Sequence, residues 1–276
     1  MNIISFPKLN ITLRLDPVAF SVGSKPIYWY ALIILTGFFL AFLFVYCGCE
    51  KCGLKREQLW DIALYGLVFG IIGARLYYVL FALDEFSNIW DMFKIWNGGL
   101  AIYGGIIAGI LTAAVYCRLH RISVLNTFDV CCGGLFIGQA IGRFGNFVNA
   151  EVYGKATSLP WGMSIDGHTA VHPLFLYESL WNILGFILLV LFRNRKKADG
   201  QVFAFYLFWY SFGRFFLEGM RDPEYILYLV PGVIGISQAV ALALMAAAIV
   251  IFITTGRKAK KAGESSVKAA PENTAE

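Results

Sequence analysis

Residues 28–48 read YWYALIILTGFFLAFLFVYCG, a run without a single charged side chain. A helix rising 1.5 Å per residue needs about 20 such residues to cross a hydrocarbon core of about 30 Å. Six further apolar runs follow, at 60–82, 99–118, 125–143, 172–192, 201–218 and 231–254. The third and fourth are diluted by Gly and isolated polar residues, which suits helices whose polar faces line a shared interior. The chain as a whole is 58% hydrophobic and 15% charged, with a mean hydropathy of +0.65, whereas a soluble domain carries about 25% charged residues. These features predict an all-α integral membrane protein. It has seven transmembrane helices, an outward-facing polar cavity and short extracytoplasmic loops. Residues 1–255 form one membrane domain, and 256–276 form a tail that is basic, then small, polar and disordered.

The basic residues fix an orientation, because short cytoplasmic loops collect Lys and Arg. Lys51, Lys55 and Arg56 follow the first run, and Arg118 and Arg121 the third. Arg193, Arg195, Lys196 and Lys197 follow the fifth, and Arg257, Lys258, Lys260 and Lys261 the seventh. With seven spans all four clusters share one side, so the N-terminus is outside and the tail cytoplasmic. The net charge of +5 then reflects membrane anchoring and gives no reason to expect nucleic acid. Residues 1–27 lack the apolar core of a cleavable signal and suit a short amphipathic stretch on the membrane. Gly134, Gly138 and Gly142 step along the fourth run, Gly105 and Gly109 along the third, and Gly70 and Gly73 along the second. Such spacing lets helix backbones approach closely, and predicts a tight core of the second, third and fourth spans. Cys47, Cys49 and Cys52 read as small membrane residues, with no His nearby to complete a metal site.

Polar groups concentrate at one end. Residues 142–154, GRFGNFVNAEVYG, place Arg143, Asn146, Asn149, Glu151, Tyr153 and three glycines at a membrane boundary. The planar fork of Arg suits phosphate, although a lone interfacial Arg equally snorkels to headgroups. In the sixth run Tyr210, Arg214 and Glu218 are four apart and share a helix face, with Arg221 just beyond. Arg214 and Glu218 either neutralise each other or serve a ligand. Arg143 and Arg214, both at outward helix ends, together suit one phosphodiester. Arg75 lies deep in the second run and needs an acidic partner or a lipid phosphate. Glu178, at the end of the segment 172–178 that opens the fifth run, reads as a structural partner.

The chain lacks His-Glu-x-x-His, Gly-x-Ser-x-Gly and a Walker-type phosphate loop. It offers no convincing nucleophile, so the attacking group belongs to a substrate. A lipid or anion transporter would continue the polar path to the cytoplasmic side, and no strong internal repeat supports one. A scaffold with a lipid-binding groove is the other alternative.

Residues 142–154 resemble the signature of the prolipoprotein diacylglyceryl transferases. Further matches are Trp29-Tyr30-Ala31, Gly73-Ala74-Arg75, the stretch 97–105 (NGGLAIYGG), His172-Pro173 with Leu176-Tyr177-Glu178, and Gly213-Arg214-Phe215 with Glu218. The resemblance implies a monomeric seven-helix enzyme of the bacterial cytoplasmic membrane, without metal or other cofactor. It implies transfer of the diacylglyceryl group of phosphatidylglycerol to the lipobox cysteine thiol of a preprolipoprotein, whose signal peptide the enzyme meets in the bilayer. A thioether forms and glycerol phosphate leaves. By the same resemblance Arg143 and Arg214 bind the phosphate and stabilise the leaving group, while Asn146, Glu151, Glu218 and Tyr30 line the site. Gly154, Tyr210 and Arg221 are counted with the lipid-binding residues. Similar sequences often carry His at the centre of the third-span motif, where this chain has Tyr103. A phenol with an ordinary pKa near 10 is a poor base, so Tyr103 acts by hydrogen bonding or another group takes the proton. Glu151 and Glu218 are the carboxylates available for that.

Overall fold

The apolar runs become helices in the computed structural model, which describes residues 1–86, 88–230 and 232–268. Seven α-helices occur among the described residues: α1 (Trp29–Gly48), α2 (Arg56–Phe81), α3 (Ile102–Leu119), α4 (Val124–Val148), α5 (Leu174–Arg193), α6 (Gln201–Gly219) and α7 (Ile236–Lys268). Six of them are long and apolar enough to cross a membrane. The exception, α6, is diluted by Gln201, Ser211, Arg214 and Glu218, the last two being charges it delivers to the site described below. The seventh helix continues past residue 255 to Lys268; the end of the tail, 269–276, lies outside the described residues.

The N-terminus departs from an all-α reading. Residues 1–28 form β1 (Asn2–Phe6), β2 (Ile11–Leu15), β3 (Val18–Val22) and β4 (Lys25–Tyr28) in place of an amphipathic stretch. The cause is local: Asn10 and Gly23 take left-handed φ values of 53° and 62°, which suit turns, between segments rich in β-branched and aromatic residues. A two-residue strand, β5 (Ser164–Ile165), pairs with β1, giving a three-stranded sheet in the order β2-β1-β5. Strands β6 (Tyr228–Val230) and β7 (Ile234–Gly235) form a hairpin ahead of α7.

The chain divides into two compact units, one of residues 1–45 with 131 onward, the other of residues 46–130. In the first, Cys132 and Phe136 of α4, Leu189 of α5, and Val202 and Tyr206 of α6 form a buried core. A second core joins Ile4 of β1, Met163 and Phe175, and ties the N-terminal sheet to the chain that follows α4. Asn2 supports this by donating to the Val148 carbonyl at 3.2 Å. The small-residue stripe of α4 packs on α1, where a Cβ on Gly134 would lie 2.9 Å from the Ala41 carbonyl oxygen. The sequence-based expectation of a tight core of the second, third and fourth spans is corrected to that extent.

In the second unit α2 and α3 cross at Gly73 and Gly104, where added Cβ atoms would overlap the facing backbone. Tyr116 donates to Asp61 at 2.6 Å. Among the described residues Arg75, buried at 8% exposure, is held by backbone carbonyls rather than by an acidic side chain. Its guanidinium donates to four backbone carbonyls, those of Met92, Gly98, Gly99 and Asp91, at 2.7–2.9 Å. Gly98 and Gly99 stand at φ 87° and 72°, a backbone open chiefly to glycine, which turns both carbonyls onto one Arg nitrogen.

Candidate active site

The fourth helix outlasts its expected end at 143 by more than a turn, so Arg143 and Asn146 are helical residues. Past Val148 the chain reverses through Ala150 and Val152, both at left-handed φ values of 54° and 57°. A β-branched residue there is strained by about 1–3 kcal/mol and persists only where its surroundings hold it. They do so here through several hydrogen bonds: the Glu151 N–H donates to the Asn146 carbonyl at 3.0 Å, the Gly154 N–H to His172 at 2.9 Å, and the Asp222 N–H to Tyr153 at 3.2 Å. The reversal carries the Glu151 carboxylate back to α4, where it accepts from the Asn146 amide at 2.9 Å and from that of Asn149 at 3.4 Å. Gly154 bridges to Arg221. Its missing side chain allows a close approach to this chain's own backbone, since a Cβ would lie 2.8 Å from the Met220 carbonyl oxygen.

Helices α5 and α6 are locked together by two tryptophans. The Trp181 and Trp209 rings stack at 4.4 Å, and each indole N–H donates to the other residue's carbonyl at 3.0 Å. Gly185 and Gly213 make room for the rings. This lock fixes Glu178, three residues before Trp181, against Arg214, which follows Gly213.

The charged groups converge on Glu178. Its Oε2 lies 2.5 Å from Arg143 Nη2, and its Oε1 lies 3.5 Å from Arg214 Nη1 and 3.3 Å from Arg221 Nη2. Glu218 takes the other side of the pair, 3.0 Å from Arg214 and 3.3 Å from Arg221. Three guanidinium groups thus face two buried carboxylates, a surplus of one positive charge. Arg221 is the most enclosed of the three. Burial and then the neighbouring Arg214 lower its pKa, while Glu218 and Glu178 raise it. Arg143 and Arg214 keep 22% and 16% of their side chains open.

The structure therefore brings together Arg143, Arg214, Glu218 and Arg221, with Asn146 and Glu151 joined to Arg143 through Asn146 Oδ1 at 3.5 Å. Tyr210 lines a small space beside Glu178 and Arg214. The Tyr30 ring packs on Gly145, where a Cβ would lie 2.7 Å from it. Tyr103 stands in the second unit, exposed in the first turn of α3. Glu178, expected as a structural partner, pairs with all three arginines, although its place in the sequence marks it only as an acid near a helix start. An apolar groove of about 180 Å³ runs between α4 and α5, lined by Ile137, Ile141, Phe144, Ile183 and Phe186 among others. Among the described residues no three His, Cys, Asp or Glu side chains gather to hold a metal ion.

A family model described as prolipoprotein diacylglyceryl transferase matches residues 17–254. The chain is similar to the phosphatidylglycerol–prolipoprotein diacylglyceryl transferase of Finegoldia magna, with 40% identity over 252 residues, covering 91% of this chain and 100% of the relative. The protein of that name from Listeria monocytogenes is 40% identical over 252 residues, 87% of this chain and 89% of its own. The one from Enterococcus faecalis is 42% identical over 259 residues, 88% and 92% of the two chains.

Proposed function

The chain belongs to the prolipoprotein diacylglyceryl transferase family, and from that membership we propose how its residues carry the transfer. It is a multi-span membrane enzyme that moves a diacylglyceryl group from phosphatidylglycerol to a prolipoprotein. In the proposed reaction the lipobox cysteine sulfur attacks the glyceryl carbon that bears the phosphate ester. The carbon–sulfur bond forms as the carbon–oxygen bond breaks, and the bonding pair leaves with glycerol phosphate. Negative charge grows on the phosphate oxygens. Fixed guanidinium groups at a low-dielectric boundary stabilise that charge without reorganising.

The observation that carries this reading is the bridging of Arg143 and Arg214 by the two oxygens of one carboxylate. Two oxygens of a phosphodiester fit the same seat. Arg143 and Arg214 are assigned to the phosphate, with Arg221 behind them, and Asn146, Gly154, Tyr30 and Tyr210 to the surrounding lipid headgroup. The groove between α4 and α5 suits an acyl chain. The thiol proton passes to a carboxylate. At Glu218 it would displace two ion pairs, whereas at Glu151 it competes only with neutral amide donors, so Glu151 is the better acceptor. Tyr103 contributes a hydrogen bond.

We further propose that all seven helices cross the cytoplasmic membrane within one domain, with the N-terminus and the arginine cluster outside and the tail inside. The enzyme acts as a monomer and needs no cofactor. The test is a lipobox peptide presented to the purified enzyme in vesicles. Peptide mass should rise by one diacylglyceryl group, with equimolar glycerol phosphate released, only when phosphatidylglycerol is present. Equal modification in phosphatidylcholine alone, or a product cleaved by hydroxylamine as a thioester is, would refute the reading.

A further inference from the structure

Glu178 takes no part in the steps above, yet its carboxylate occupies the centre of the seat assigned to phosphate. It is 5% exposed and touches all three arginines of the cluster at 2.5–3.5 Å. Its shortest contact is with Arg143, the most open of the three. A phosphate bound between Arg143 and Arg214 needs the nitrogens that Glu178 now holds. Two anions at that distance repel strongly where water is scarce, so both cannot keep the full set of contacts.

We infer that Glu178 is an internal counter-anion, displaced from Arg143 when phosphatidylglycerol binds and returning to that nitrogen as glycerol phosphate leaves. The chemistry requires such a device. The substrate phosphodiester carries one negative charge and the leaving phosphate monoester carries up to two. A seat of three arginines facing Glu218 alone would have a surplus of two positive charges and would hold the product more tightly than the substrate. With Glu178 competing, the surplus is one, which weakens the hold on both anions and speeds the departure of the product. The shared contact with Arg221 gives the displaced carboxylate a place to stay. Glu178 is thus a positioning residue that tunes the seat's affinity for anions. The inference rests on the arginine clamp proposed above.

The test uses the full-length enzyme in mixed vesicles, with phosphatidylglycerol diluted in phosphatidylcholine, a lipobox peptide as acceptor and glycerol phosphate as inhibitor. Glu178→Gln keeps the shape and removes the charge. The KM for phosphatidylglycerol and the inhibition constant of glycerol phosphate should each fall by about tenfold or more, the scale of one charge-assisted contact. The kcat should fall as well, because product release then limits turnover. Glu178→Asp keeps the charge on a side chain one methylene too short to span the seat, and should shift both constants in the same direction by less. A KM unchanged or raised in both variants would overturn the inference, and so would failure of both to accumulate, which would make Glu178 purely structural. Arg143→Lys separates the two readings. If it loses turnover while Glu178→Gln leaves KM unmoved, the clamp stands without the counter-anion; if it turns over normally, the clamp itself fails.

Discussion

Arg143 lies on α4 and Arg214 on α6, and a single carboxylate on α5 holds both. Each guanidinium presents a planar fork that matches two oxygens, so these side chains are preset for an oxyanion before any lipid arrives. The proton is the less constrained part of the reaction. Glu151 is held by Asn146 and Asn149 and stays partly open. Glu151→Gln should therefore lower turnover by about 10²-fold, the scale of general-base catalysis, with KM for phosphatidylglycerol changed little; unchanged turnover would remove Glu151 from that role. Tyr103→Phe should retain partial turnover, because a hydrogen bond is lost without loss of the proton acceptor. Complete loss of turnover with lipid binding intact would make Tyr103 essential and contradict this. The two arginines and Glu151 are legible in the sequence, since Arg, Asn, Glu and Gly crowd a membrane boundary there. The convergence on Glu178 is not, because it depends on how α5 turns its face toward α4 and α6. Nothing in a helix-start acid announces three partners 35 to 43 positions away in the chain.

At the scale of elements, glycine at close helix contacts recurs. Gly213 and Gly185 face the stacked tryptophans that join α5 and α6, and Gly73 and Gly104 join α2 and α3. A methyl at Gly213 would overlap the Trp181 ring, and overpacking of this kind costs about 1–3 kcal/mol. Gly213→Ala should lower the unfolding temperature in detergent by about 2–10 °C and shift Arg214 off the seat, reducing activity with it. Gly109→Ala meets nothing within 4 Å and should leave both unchanged. Equal behaviour of the two variants would deny the lock. Helix existence was readable from hydrophobic runs, since lipid-length apolar segments have few alternatives. Helix partners were not, because a stripe of small residues states that something comes close without naming it. The N-terminal hairpins carry a readable signal in Val22-Gly23-Ser24-Lys25, whose two-residue loop is a turn signature. It is muted by the absence of clean alternation beside it. The cage around Arg75 was hidden for another reason: backbone carbonyls, unlike carboxylates, leave no mark in the sequence.

At the scale of the whole molecule, polar chemistry gathers at the C-terminal ends of α4 and α6, and basic residues cluster in the sequence after the first, third, fifth and seventh apolar runs. The second is the ground for the proposed orientation: a reporter fused after Thr255 should be active only in the cytoplasm, and activity outside the cell would overturn the proposed topology. The first is the ion-paired cluster proposed to act as one catalytic unit, so its arginines should fail together. Turnover of the full-length enzyme in phosphatidylglycerol vesicles, measured for Arg143→Lys, Arg214→Lys and the double variant, tests this most directly. Lysine keeps the charge and loses the fork. Each single variant should lose about 10²-fold or more in kcat, the scale of removing one donor from a developing oxyanion. The double variant should lose much less than the product of the two factors, since groups acting as a unit are not additive. Near-normal turnover in either single variant, or strictly multiplicative losses in the double, would contradict the account.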